Sequence, residues 1–187
     1  MKKAVITAVA LTLALCLAVG GTLAYLVATS GPVTNTFTVG DITITLSETT
    51  GESGYKVVPG GTQAKNPKVT VKANSEDCYV YVCIANSLII DGKVVVTYDI
   101  DTTKWEKIAG TDAKALYRYK GDVKLSAADQ DLPVFNNVSY SKDILKTNIQ
   151  TLKDKTIVLN AYAHQSANIE QSVADAAATA WAFPTQG

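Results

Sequence analysis

Residues 78 to 86 read Cys-Tyr-Val-Tyr-Val-Cys-Ile-Ala-Asn, a run in which β-branched and aromatic side chains recur with almost no interruption. Such side chains are stiff in a helix and sit well on a pleated surface, so this stretch predicts a strand. A strand needs neighbours, and the rest of the chain supplies them. Val69 and Val71 begin an earlier one, and Ala115 to Lys120 alternates tyrosines before Gly121-Asp122 turns the chain. Leu88-Ile89-Ile90 and Lys93 to Thr97 flank Asp91-Gly92, the dipeptide a tight antiparallel reversal favours. Residues 132 to 140 read as an irregular approach to another strand, and Thr156 to His164 as a clear late one. Many short strands separated by turn signals predict a mainly β chain, an antiparallel jelly-roll-like β-sandwich.

One or two short helices complete the expectation, one of them C-terminal. Leu145, Ile149 and Leu152 have helical spacing behind Ser141 as a cap, which predicts a short helix within 141 to 153. Near the end, Ile169, Val173, Ala176, Ala177, Ala180 and Trp181 fall on one helical face. Asn168 with Gln171 resembles a capping box, and Pro184 stops the helix.

The N-terminus is of another kind. Lys2 and Lys3 precede an uncharged run from Ala4 to Val19, broken by Gly20-Gly21 and followed by Thr22-Leu23-Ala24. A positive start, an apolar middle and a small-x-small exit predict a secretory signal peptide, residues 1 to 24, cut between Ala24 and Tyr25. The uncharged run has 16 residues, short of the roughly 20 that span a bilayer as a helix. An uncleaved anchor and a lipid on Cys16 are the alternatives, although Leu15 stands where a lipid-attachment motif has a small residue.

Residues 25 to 40 then form a pliable lead-in with Val33, Phe37 and Val39 on one parity, and 41 to 187 the sandwich domain. Gly40-Asp41 shifts the parity before Ile42, Ile44 and Leu46 resume it, which predicts a bulge between two strand segments. Residues 47 to 62 form a polar loop ending at Pro59-Gly60-Gly61. Removing the first 24 residues leaves 163, enough for one domain with a substantial core.

Charge and cysteine content narrow the functions. The whole chain balances 17 basic against 17 acidic residues, and losing Lys2 and Lys3 makes it 15 against 17. No basic stripe exists, so nucleic acid is a poor partner. Cys78 and Cys83 lie five steps apart, roughly 16 Å along a strand, and point to opposite faces, so they cannot bridge one another. They are read as free thiols, with a bond between subunits as the alternative.

Catalytic residues and cofactors are not expected. His164 is the single histidine, whereas zinc hydrolysis takes about three protein ligands around one open position. No His-Glu-x-x-His occurs, and no nucleophile motif surrounds any serine. His164 is therefore read as a partly buried strand histidine, and Trp105 and Trp181 as packing residues. A glycan-binding face lined by some of the nine tyrosines and two tryptophans is a further reading, although Tyr79 and Tyr81 alternate as ordinary sheet residues do. The C-terminus lacks a Leu-Pro-x-Thr-Gly sorting signal.

Four segments in order carry a family resemblance: GGTLAY followed by NTFTVGDITITL; VVPGG with KNPKVTVKANSEDCYVYVCI; WEK, ALYRYKG and LPVFNNV; and IVLNAYAHQSANIE with ADAAATAW. With them the chain resembles the SipW-dependent secreted proteins of the TasA/camelysin family of Gram-positive bacteria. The resemblance implies a dedicated signal peptidase of the SipW type, secretion to the extracellular matrix or cell surface, and a self-assembling role in biofilm-matrix fibres. It also implies donor-strand addition, in which the freed segment carrying Val33, Phe37 and Val39 completes the sheet of the next subunit, with an accessory fibre-nucleating protein as a further partner. A camelysin-like surface metalloprotease is the competing implication.

Overall fold

The computed structural model describes residues 40–48 and 57–184. The chain divides between Thr38 and Val39, and the described residues all belong to the second unit. The signal-cleavage residues Thr22, Ala24 and Tyr25, and the donor-segment residues Val33, Phe37 and Val39, lie outside the described residues.

Among the described residues twelve strands run in chain order: β1 (Ile44–Glu48), β2 (Thr62–Ala64), β3 (Pro67–Val71), β4 (Cys78–Asn86), β5 (Ile89–Ile90), β6 (Lys93–Val94), β7 (Val96–Ile100), β8 (Trp105–Gly110), β9 (Lys114–Tyr119), β10 (Gln130–Pro133), β11 (Phe135–Tyr140) and β12 (Ile157–Gln165). The helix α1 (Gln171–Ala182) closes the domain. All pairings are antiparallel.

One layer is the four-stranded sheet β12-β4-β9-β8. The other is two three-stranded pieces, β1-β3-β10 and β2-β11-β7, that run into each other. The Lys65 amide donates to the Asn136 carbonyl and the Val134 amide to the Pro67 carbonyl, so β2–β3 and β10–β11 continue as one kinked pair. The layer therefore reads β1, β2/β3, β10/β11, β7. The pairings nest: β2/β3 with β10/β11, β4 with β9, and β7 turning into β8 through Asp101, with β1 running beside β12. Nesting of this kind is consistent with the jelly-roll-like sandwich expected from the strand pattern.

The core lies between the layers. Val80, Val82 and Ile84 of β4 face Val69 and Val71 of β3 and Phe135 and Val138 of β11, all essentially inaccessible to solvent. Trp105 closes one side of it, with its indole Nε1 donating to the Pro133 carbonyl at 2.8 Å, so a large apolar body is buried with its single donor satisfied. The opposite face of the four-stranded sheet packs a second cluster of Tyr81, Cys83 and Leu116 under Ala174, Ala178 and Ala182 of α1. The β4 period of two thus divides its side chains between two cores, which is why the run carries hardly a polar residue.

Several turns follow their sequence signals. Asp91 and Gly92 both have positive φ (49° and 76°) in the β5–β6 hairpin, the geometry a type I′ turn demands. Gly110 at the end of β8 has φ 91°, and a Cβ there would lie 2.1 Å from the Lys114 carbonyl oxygen.

Four expectations need correction. Residues 141 to 153 do not form a capped α-helix. Ser141 does accept a bond at its hydroxyl, from the Asp143 amide, but the chain turns, and only a 3-10 segment (Ile149–Leu152) forms. A local hydroxyl-to-amide turn competes with the helix it was expected to start. Residues 132 to 140 are not an irregular approach but most of the two strands β10 and β11 themselves. Asn168 does not cap α1: it has positive φ (59°), and Glu170 precedes the helix with no side-chain cap. Finally, α1 buries Ala174, Ala178 and Ala182, while Val173 (54 % exposed) and Trp181 (37 % exposed) lie outward. The polar anchor Asp175 sets that rotation, and small alanines let the helix approach the sheet closely.

Candidate functional site

Two features of the four-stranded sheet bear on function: its edge and its helix-covered face. The edge is β12, paired over its whole length with β4, from Ile157 opposite Asn86 to Gln165 opposite Cys78. Among the described residues β12 has no second ladder partner. Its nine residues, Ile-Val-Leu-Asn-Ala-Tyr-Ala-His-Gln, include no charge and no proline. Edge strands are normally protected by such residues, by bulges or by shortness, because a row of free N–H and C=O groups is a template for another strand. The opposite edge has this protection: β8 carries Glu106 and Lys107 and a register shift between Lys107 and Ala109. β1 runs beside β12, but among the described residues its ladder pairing is with β3, and it is barely buried, with Leu46 37 % exposed.

The helix-covered face carries a row of directly opposed side chains, Glu106, Arg118, Tyr81 and Tyr162, contributed by β8, β9, β4 and β12. Asp175 of α1 comes down onto this row. Its carboxylate accepts from the Tyr81 hydroxyl at 2.9 Å and from Arg118 Nη1, while Arg118 Nη2 donates to Glu106 at 2.6 Å. Burial, then the bond to Asp175, raises the Tyr81 phenol well above its ordinary pKa. Arg118 Nε is buried without a partner among the described residues. This arrangement holds a helix onto a sheet, with Tyr81 buried beneath it and Glu106 opening to solvent at the β8 end of the row.

Beside the helix the aromatics continue outward. Trp181 stacks on Tyr162 with ring centroids 5.2 Å apart, and Tyr162 lies 6.3 Å from the His164 ring. His164 is half-buried, as a strand histidine should be, and its Nδ1 bonds the Gln165 carbonyl. Tyr79, directly opposite His164, is half-buried too. Trp105 is the packing residue expected, whereas Trp181 packs by one face and shows the other.

Cys78 and Cys83 are both free and buried, on opposite faces of β4, as their parity requires. Burial, with Asp77 nearby, pushes the Cys78 thiol up to about 11, and burial also raises Cys83. A bond between subunits would require the layers to part at Cys78 or α1 to lift from Cys83. Among the described residues, no group of three or more His, Cys, Asp and Glu side chains lies together so as to hold a metal.

Sequence reasoning did not single out the β12 edge or the Arg118–Asp175 pair. The first had a readable signal, nine uncharged residues from 157 to 165, but only pairing places that run at an edge. The second joins residues 57 apart in sequence and had none. Comparison with models of protein families, with curated proteins and with solved structures finds no match.

Proposed function

We propose that this protein is a secreted, non-enzymatic structural subunit that self-assembles into extracellular biofilm-matrix fibres by strand addition. Cleavage after Ala24 by a SipW-type signal peptidase frees residues 25 to 40, and the alternating Val33, Phe37 and Val39 of one copy pair with the next. The observation that carries this reading is β12, a nine-residue edge strand with neither charge nor proline to repel an incoming strand. The weak burial of β1 supports it further, since two ladder spacings come to about 9.6 Å and a strand seated between β12 and β1 displaces β1 outward. An accessory protein that starts the fibre is a natural second partner for the same edge.

The test is negative-stain electron microscopy of residues 25–187 beside the full chain. Filaments from the processed chain alone are expected, and they should be lost in Val158→Lys/Asn160→Lys, which places two charges on exposed positions of β12. Filaments that persist in that variant would refute the β12 edge as acceptor; monodisperse particles throughout would refute assembly.

The half-buried Tyr79, His164 and Tyr162 beside the exposed Trp181 favour a second reading, a glycan-binding face that stacks sugar rings. A glycan-array signal abolished by Tyr79→Ala would establish it, and an empty array would remove it.

A further inference from the structure

Among the described residues, the two layers do not close on each other at one end of the sandwich. They leave a cavity of about 730 Å³, within the roughly 300–1,000 Å³ typical of small-molecule sites. Its floor is continuous with the core: Leu88, Val96, Val138 and Leu152 are buried, and Ile149 and Ile157 are half-buried at its sides. No ionisable group lies among these six, while Tyr140, Gln150 and Thr156 add polar atoms elsewhere in the lining. An apolar cavity gains nothing from water and takes apolar guests readily.

The mouth is different. Lys153, Asp154 and Lys155, all exposed, come directly after the 3-10 segment and line the opening, and Asp154 holds a positive φ (61°) that sharpens the bend between the two lysines. Lys65 also lines it, its charge met by Glu48 at 3.1 Å. Apart from that neutralised pair, the rim has two cations against one anion, and among the described residues neither Lys153 nor Lys155 is within ion-pair distance of a carboxylate. An apolar floor behind a cationic mouth is complementary to a molecule with an apolar tail and an anionic head.

We propose that this cavity binds a free single-chain amphiphile with an anionic headgroup, of which a medium-chain fatty carboxylate is the simplest example. The tail lies along Leu88, Val96, Val138 and Ile157, and the head sits between Lys153 and Lys155. The site is distinct from the β12 edge and stands or falls independently of assembly. It would let an extracellular subunit take up or respond to lipid released around the cell.

The experiment is a calorimetric titration of the full chain with octanoate, decanoate and dodecanoate, with dodecanol and phosphatidylglycerol vesicles as comparison probes. Saturable one-site binding is expected, tightening by about fourfold per added methylene while the tail remains inside the cavity. Lys153→Glu/Lys155→Glu should weaken dodecanoate by about tenfold or more and leave dodecanol unchanged, because two attractive charges become repulsive. Ile149→Trp, which fills the side of the cavity, should abolish binding of both; should it fail to fold, the lysine pair still decides. No saturable binding, equal binding by the charge-reversed chain, binding to vesicles alone, or binding lost as the chain self-associates would each overturn the proposal.

Discussion

Replacing Asp175 by alanine tests the account of how α1 is held. The carboxylate accepts from Tyr81, whose side chain is fully buried, and from Arg118, whose side chain is 12 % exposed. Removing it orphans the Tyr81 hydroxyl, a loss of about 1–3 kcal/mol. Arg118 retains Glu106, and both acids are substantially hydrated, so the ion-pair part adds only about 0.5–1 kcal/mol. Alanine returns up to about 0.7 kcal/mol in helix propensity. The net expectation is about 2 kcal/mol, or roughly 4–8 °C in Tm for a domain of this size. Urea unfolding followed by tryptophan fluorescence measures it, since Trp181 rides on the helix and Trp105 sits in the main core. The Tyr81→Phe change supplies the internal control. In the Asp175→Ala background it removes the orphaned hydroxyl and should recover about 1 kcal/mol, whereas alone it should destabilise. An Asp175→Ala chain within about 0.5 kcal/mol of the parent, or additive behaviour of the two changes, would refute the reasoning and leave alanine packing and the Trp181–Tyr162 stack to hold the helix.

Other outcomes rest on the same packing and hydrogen bonding. Gly110→Ala should destabilise by well over 2 kcal/mol in thermal unfolding, because φ 91° strains an L-residue and the new Cβ meets the Lys114 carbonyl at 2.1 Å. Asp99→Ala should cost about 1–2 kcal/mol by chemical denaturation, since its carboxylate accepts from the amides of Asn136 and Asn137 and from the Asn137 side chain, and so holds the register shift in β11. On acidification, bonds from Lys68 and Thr70 hold the Asp131 carboxyl below its ordinary 3.8, and bonds from Lys72 and the Ala73 amide do the same for Asp129. Folded pKa values depressed in this way contribute stability above about pH 3.8 that is lost as pH falls through the folded values, so a pH titration of Tm should drop there and flatten in Asp129→Asn/Asp131→Asn. Cys78 and Cys83 should resist a thiol reagent at pH 8 in the native chain and react promptly in denaturant; rapid native labelling would show that the sheet opens.

Legibility in the sequence varied with the range of the interactions. The strand from Cys78 to Asn86, the Asp91-Gly92 turn and the late strand through His164 were readable because period and turn chemistry are local. β10 and β11 were not, since Pro133 and the Asn136-Asn137 pair interrupt their alternation, and Asp99 on a neighbouring strand supplies the bonds that make the irregularity stable. The helix within 141 to 153 failed for the opposite reason. Its spacing was right, but Ile144 and Leu152 are drawn into the sandwich end, and only one 3-10 turn fits between them. The face of α1 was misjudged by about one position, because a count of apolar residues cannot see that Asp175 is the anchor.

By itself the sequence determined what short-range physics determines: a mainly β chain, a terminal helix, two cysteines on opposite faces that cannot bridge one another, and an uncharged run ahead of the folded domain. Tertiary structure alone decided which strand ends at an edge, which face of the helix is buried, and where the layers leave a cavity. Each depends on which residues distant in sequence come together, and side-chain period constrains only which face a residue takes, not the partner it meets there.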